Sequence, residues 1–411
     1  MRKKIFILVL LFIFTFLFAC KNDFDIIPDG YVRLTGTFNS GSNAFNFLKK
    51  IEKLFLITIN AFDTKSLSKV MVFTDFDEFN IKEITDNSFS IDFKRDKPIG
   101  LIFLDKDNGY LGYLSLGKLD LVPINSISSS INQIDFGVLS SSSQIVTPGN
   151  NPLDTLDNLS EDEIEAMKFM SSLFVSIIKN PDVDNDGKLD FFEKDYEKFR
   201  LSIIYYVNAG SFNGNLTPQI SNTNTLINSY KLVFNAFDIS GRPDSVNFIA
   251  PVGSSLNNIQ STKKKDYPDI NISSFYSPVD SNNKIPLEGI YIVNYKNKTL
   301  KFNISNQSFA NNFIIIPIPT ITLNPDNTIK KINWIYKNSN NNNINNPSSL
   351  IKDIQVQIDD INNKRIYDSK LYSGNDFEDI LNIDINWDNV KYIYFGYNDI
   401  FGNYYTITWN K

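Results

Sequence analysis

The sequence contains no histidine and only one cysteine, Cys20, among 411 residues. Without histidine there is no His-dependent catalytic triad, no His-ligated zinc and no imidazole switch near neutral pH. A single thiol cannot close an intramolecular disulfide, so cores or an oxygen-bound metal must hold the fold. Methionine and tryptophan are scarce, at four and three, whereas phenylalanine and tyrosine number 34 and 19. Arginine is sparse beside lysine and asparagine runs recur, a bias that weakens any reading of an Asn tract as a binding site. Basic residues total 40 against 46 acidic ones. The one tight basic run, Lys263-Lys264-Lys265, reads as a solvated loop, and no electrostatic footprint for nucleic acid is expected. Carboxylates, hydroxyls and amines remain, so composition leaves hydrolysis by a carboxylate pair open.

At the amino terminus, Arg2, Lys3 and Lys4 precede an unbroken apolar segment from Ile5 to Ala19, and Cys20 follows directly. A basic start, a short apolar stretch and a small residue form the pattern of a removed secretory signal. The ending Leu17-Phe18-Ala19-Cys20 resembles the lipobox of bacterial lipoproteins, the bulky Phe18 being similar to the looser boxes of spirochaetes. That resemblance implies a lipoprotein signal over residues 1–20, acyl chains (palmitate among them) on Cys20, and a mature chain anchored to a membrane without spanning it. A plain signal peptide ending in cysteine and an uncleaved anchor are the alternatives, because apolar length alone does not exclude an anchor.

Residues 21–30 read as a polar tether. From Tyr31 short alternating segments follow: Val32–Phe38, Leu54–Phe62, Phe89–Phe93, Pro98–Leu104 and Tyr110–Leu116. The last two flank Asp105-Lys106-Asp107-Asn108-Gly109, whose Asn-Gly pair marks a hairpin turn. Residues 31–139 are expected to form a β-sandwich, loosely similar to the transthyretin-like kind. A Ser/Pro/Gly stretch over 140–159 reads as a linker. Ser160 with Glu163 forms a capping box, and Ile164, Met167, Met170, Leu173, Phe174, Ile177 and Ile178 follow at helical spacing. A second helix is expected from Phe191 to about Val207, with Tyr196, Phe199, Ile203 and Ile204 inward. Residues 225–318 and 319–411 return to strand patterning. Their closing turn, Asp399 to Asn403 before an aromatic strand, resembles the last hairpin of bacterial Ig-like modules, implying two Ig-like sandwiches, with one larger sandwich as the alternative. Asn338–Asn346 reads as a long exposed loop. The fold class expected is therefore mainly β, with a small α-helical insert over 160–208.

That insert carries the one motif with chemistry. Asp182-Val183-Asp184-Asn185-Asp186-Gly187-Lys188-Leu189-Asp190-Phe191-Phe192-Glu193 has the spacing of a twelve-residue EF-hand calcium loop. A hard cation takes six to eight oxygens, supplied as carboxylates at loop positions one, three, five and twelve. Here those are Asp182, Asp184, Asp186 and a bidentate Glu193. Lys188 would offer its main-chain carbonyl and Asp190 would act through a water, while Gly187 permits the sharp turn. A solvated acidic turn is the alternative. Pro181 departs from sensor EF-hands and no second loop is found, so the motif is more similar to the structural sites of dockerin-like extracellular modules. One bound Ca2+, acting as a clip, is the expectation.

These features imply a non-enzymatic, calcium-stabilised envelope lipoprotein, lipid-anchored in the outer membrane and surface-exposed. Its partners would be the membrane and an extracellular protein or glycan. A periplasm-facing assembly role and a carboxylate-based hydrolase are the alternatives.

Overall fold

Period-two burial organises most of the chain in the computed structural model, which describes residues 27–39, 67–75, 78–155, 159–193, 199–221, 226–237, 239, 241–304, 314–380 and 384–411. Cys20, the leader and the strand expected at Leu54–Phe62 lie outside the described residues. Among the described residues eight strands come first: β1 (Tyr31–Phe38), β2 (Leu67–Asp75), β3 (Glu78–Glu83), β4 (Ser88–Lys94), β5 (Gly100–Asp105), β6 (Tyr110–Leu114), β7 (Gln133–Ser142) and β8 (Ile145–Thr147). They form one sheet in the order β3-β2-β5-β6-β8-β7-β1-β4. Its two end strands, β3 and β4, are consecutive in the chain, so the sheet curls back on itself. Across the interior the rings of Phe38 and Phe103 meet edge to face at 5.4 Å. The unit expected as a two-sheet sandwich is thus a single curled sheet.

The linker expected over 140–159 is corrected by β7 and β8. Ser140 pairs with Thr147 across a turn at Ser143, and β8 runs parallel to β6. The β-branched Ile145-Val146-Thr147 run outweighs the serines, which occupy exposed positions where a strand tolerates them.

Next come two helices, α1 (Glu161–Met170) and α2 (Ser172–Lys179). The capping box is present: Glu163 N–H donates to Ser160 Oγ at 3.2 Å and Ser160 N–H donates to Glu163 Oε2 at 2.8 Å. The single helix expected here is divided at Ser171, whose hydroxyl donates back to the Lys168 carbonyl at 3.3 Å, a competing bond that bends helices.

Seventeen strands follow: β9 (Phe199–Ser211), β10 (Gln219–Ile220), β11 (Ile227–Ala236), β12 (Asn247–Ile249), β13 (Ile259–Gln260), β14 (Lys263–Tyr267), β15 (Ile272–Tyr276), β16 (Gly289–Tyr295), β17 (Lys298–Ile304), β18 (Ile315–Leu323), β19 (Ile329–Asn338), β20 (Ile351–Asp360), β21 (Arg365–Asp368), β22 (Tyr372–Ser373), β23 (Glu378–Ile380), β24 (Val390–Asp399) and β25 (Tyr404–Asn410). A ten-stranded sheet runs β14-β15-β11-β9-β25-β24-β20-β21, with β10 on β9 and β22 on β20; separate sheets β13-β12-β16-β17 and β18-β19-β23 complete the set.

The helix expected from Phe191 to Val207 is therefore corrected: from Phe199 the chain is strand β9. Phe199, Leu201, Ile203, Tyr205 and Val207 alternate inward, and the run Ile203-Ile204-Tyr205-Tyr206-Val207 is β-branched and aromatic throughout. Tyr196 lies outside the described residues. Strand β9 is also the seam of the large sheet, pairing antiparallel with β11 and parallel with β25. Near its end Gly210 takes φ +152, where a Cβ would lie 2.1 Å from the Gln219 carbonyl. The boundary expected at 318 falls inside β18, and one sheet serves both C-terminal units.

Helices α1 and α2 sit where these layers meet. Tyr110 Oη donates to the Ile178 carbonyl at 3.0 Å and Lys179 pairs with Asp120 at 2.8 Å. From the other side, Asn303 N–H donates to Ser176 Oγ at 2.9 Å and Asn403 Nδ2 donates to the Met170 carbonyl at 3.0 Å. The Asn338–Asn346 loop is only partly exposed. Asn338 is buried, and Asn342 and Asn346 donate to Asp162 and Glu163 of α1 at 2.8 and 3.0 Å.

Candidate metal centre

Between the end of α2 and β9, the acidic loop folds around its own carboxylates. Asp182 accepts the N–H groups of Asp186 and Gly187 at 3.1 and 3.0 Å, and Asp184 accepts that of Asp186 at 3.3 Å. Asp186 accepts the Lys188 N–H at 2.9 Å, leaving the lysine side chain exposed. Gly187 takes φ +94, the left-handed geometry expected of it. Carboxylate oxygens of Asp182, Asp184 and Asp190 lie within 4.8 Å of one another, as do those of Asp184, Asp186 and Glu193. Asp184 belongs to both groups, so all five acids expected from the sequence converge. Among the described residues these are the only such clusters.

Two members show what such crowding costs. Burial pushes the Asp182 carboxyl above the usual carboxylate range, and the Asp184 charge adds to this, while the Gly187 and Asp186 N–H groups oppose it. Glu193 is also raised, first by burial and then by the charges of Asp186 and Asp184, with Lys298 opposing. Its Oε2 is buried without a hydrogen-bond partner among the described residues. An unpaired buried carboxylate oxygen is expensive, and a cation among these acids is the group that would satisfy it. The donor set is all oxygen and strongly anionic, which suits a hard divalent ion such as Ca2+ rather than a soft metal.

The loop is held on both sides. Val183, Leu189 and Phe191 are buried, and the Phe191 ring lies 4.7 Å from that of Phe73 and 5.5 Å from that of Phe79 in the curled sheet. On the opposite side the Val183 carbonyl accepts the Lys301 N–H at 3.2 Å, and the Lys298 ammonium bonds Asp184. Both lysines belong to β17. Sequence reasoning missed Lys298, which lies 114 positions from Asp184; its alternating strand pattern carries no sign of what it faces. The local frame also departs from an EF-hand. A short 3-10 turn, Asp190–Phe192, lies inside the loop, and among the described residues the next element is β9 rather than a helix.

No family model matches the chain, and no curated protein matches it. Among solved structures it is similar to a tetra-tandem repeat in the extending region of a large adhesion protein. Identity is 10%, with 93% of this chain and 74% of that chain covered and a TM-score of 0.15. It is also similar to the full-length RrgB pilus protein of Streptococcus pneumoniae, at 7% identity, 93% and 66% coverage and a TM-score of 0.13. TM-scores this low carry no argument, so the fold stands on its own strand pairing.

Proposed function

We propose that this chain is a non-enzymatic lipoprotein of the cell envelope, anchored through Cys20 and displayed at the outer surface. In this reading its β units present a binding or structural surface, and one Ca2+ braces their junction. Asp182, Asp184, Asp186 and Glu193 would hold the ion directly, with the main-chain carbonyl of Lys188 and, through a water, Asp190. The observation that carries the reading is the buried, unpartnered Glu193 Oε2 beside converging carboxylates. The loop's attachment to both the curled sheet and β17 supports a bracing role over a sensing one, since both of its sides are already docked. An extracellular site needs to bind only in the range of roughly 10⁻⁴–10⁻³ M. Equilibrium dialysis of the full chain against calcium tests the metal: one ion per chain is expected, and none would end the calcium reading.

A further inference from the structure

The lysine run expected as a solvated loop is strand β14, at the edge of the ten-stranded sheet. Strand alternation puts Lys263 and Lys265 on one face and Lys264 on the other, where Lys264 faces Asp244 at 3.4 Å and Asp266 at 3.8 Å. Register then carries the first face inward across the sheet. Lys263 pairs with Tyr276, Tyr276 with Val233, and Lys231 with Ile204, while Tyr206 lies two positions beyond Ile204. Lys231, Lys263, Lys265, Tyr206, Tyr267 and Tyr276 therefore share the solvent face of four adjacent strands. The alternating residues Tyr205, Leu232, Phe234 and Phe275 are buried beneath.

Three ammoniums on this face make no ion pair among the described residues and rest on aromatic rings instead or stand free in solvent. Lys265 Nζ lies 4.7 Å from the Tyr267 ring, and Lys231 Nζ lies 5.0 Å from that of Tyr276 and 5.8 Å from that of Tyr206. The phenol oxygens of Tyr267 and Tyr276 are 3.4 Å apart. Burial pushes the Tyr267 phenol up, yet it is lowered overall, first by its hydrogen bond with Tyr276 and then by Lys265 and Lys263, while the Tyr276 phenol is raised to about 12 by burial and by Tyr267. Lysines on an edge strand deter unwanted strand pairing. That accounts for Lys263 and Lys265 but not for Lys231, which stands two strands further in.

We propose that this face, from β14 across β15 and β11 to β9, binds an anionic polysaccharide. Three ammoniums with no carboxylate partner among the described residues call for an acidic ligand. Its breadth, three strand spacings or about 14 Å, fits an extended chain on an open sheet. The half-exposed tyrosines offer phenol hydroxyls to sugar hydroxyl groups, while ammoniums near the ring faces leave little room for stacked nucleobases. The proposal rests on the reading of the chain as a displayed envelope protein. It shares no residue with the acidic loop, so calcium and glycan titrations fail separately.

The test is calorimetry of the full chain in calcium buffer with a heparin hexasaccharide, a polygalacturonate oligomer, neutral dextran, oligo-dT and phosphatidylserine vesicles. At least one acidic glycan should bind, more weakly as salt rises, with no binding to dextran. Lys231→Gln and Tyr276→Ala, checked by circular dichroism, should each weaken that binding about tenfold. Lys263→Gln, at an exposed position, serves as the second variant if Tyr276→Ala is misfolded. The proposal is overturned if neither acidic glycan binds, if oligo-dT or vesicles bind as tightly, or if the folded variants keep full affinity.

Discussion

Replacing Glu193 with glutamine separates a calcium brace from a merely acidic loop, because only the brace predicts that the order of stabilities reverses when calcium is added. Glu193 lies with Asp184 and Asp186 inside a 4.8 Å cluster. Two like charges at that distance repel by about 1 kcal/mol in water and about 3 kcal/mol at an effective dielectric of 20. Asp186 is exposed, so solvent screening favours the lower figure for its pair. Lys298 beside Asp184 offsets part of the remainder. In chelator, Glu193→Gln should therefore be as stable as the wild type or more so, by up to about 1 kcal/mol. In calcium the order should reverse. A ligand a hundredfold above its Kd stabilises the native state by about 2.7 kcal/mol, and the glutamine variant should lose most of this. Urea unfolding of both proteins, with calcium and with chelator, gives the four free energies required. Curves that keep the same order in both buffers would refute the reasoning. Limited proteolysis adds a spatial check: chelation should open residues 180–193 to cutting while β9, held in the large sheet, stays intact.

Three further outcomes are expected. Glu163→Ala removes the capping box and leaves the Ser160 and Asn346 N–H groups without their acceptor, a loss of about 3 kcal/mol; a urea midpoint shift worth less than about 1 kcal/mol would contradict it. Burial raises the Asp399 carboxyl to about 7, against the pull of Asn403, Phe401 and Tyr405. The fold thus favours its protonated form, and that contribution is complete below the unfolded carboxylate range near pH 4 and lost as pH rises through about 7. The penalty of Asp399→Asn should accordingly shrink from pH 4 to 8, and a pH-independent penalty would count against it. Cys20→Ala should abolish partitioning into detergent and leave no acyl mass on the protein, whereas unchanged partitioning would sink the lipid anchor.

Local signals in this sequence were legible in proportion to how little they depended on partners. The capping box at Ser160 and Glu163 is present, as is the Asn-Gly hairpin between β5 and β6. Each is decided by residues a few positions apart. The alternation of Ile354, Val356 and Ile358 with Gln355 and Gln357 likewise reports a dry and a wet face. The failures are equally physical. Phe199, Ile203 and Ile204 fit a helical period as well as a strand, and what decides between them is pairing with β11 and with β25, some two hundred residues later in the chain. Serines around Ser140 read as a linker because strand pairing by Ile145 and Val146 is not visible in composition.

The same division explains why the candidate metal centre was readable while its setting was not. All five acids lie within twelve residues, so their convergence follows from loop geometry alone. Their setting is non-local: Phe73 and Phe79 come from strands a hundred residues upstream, and Lys298 and Lys301 from one strand a hundred residues downstream. This alters the mechanical argument. A loop between two helices on a free linker would set one interhelical angle, whereas this loop is pinned by aromatic packing on one side and by main-chain and ionic bonds on the other. Neutralising its charge would therefore tighten contacts already made rather than swing a hinge, and the stabilisation should appear in the cooperative unfolding of the junction as a whole.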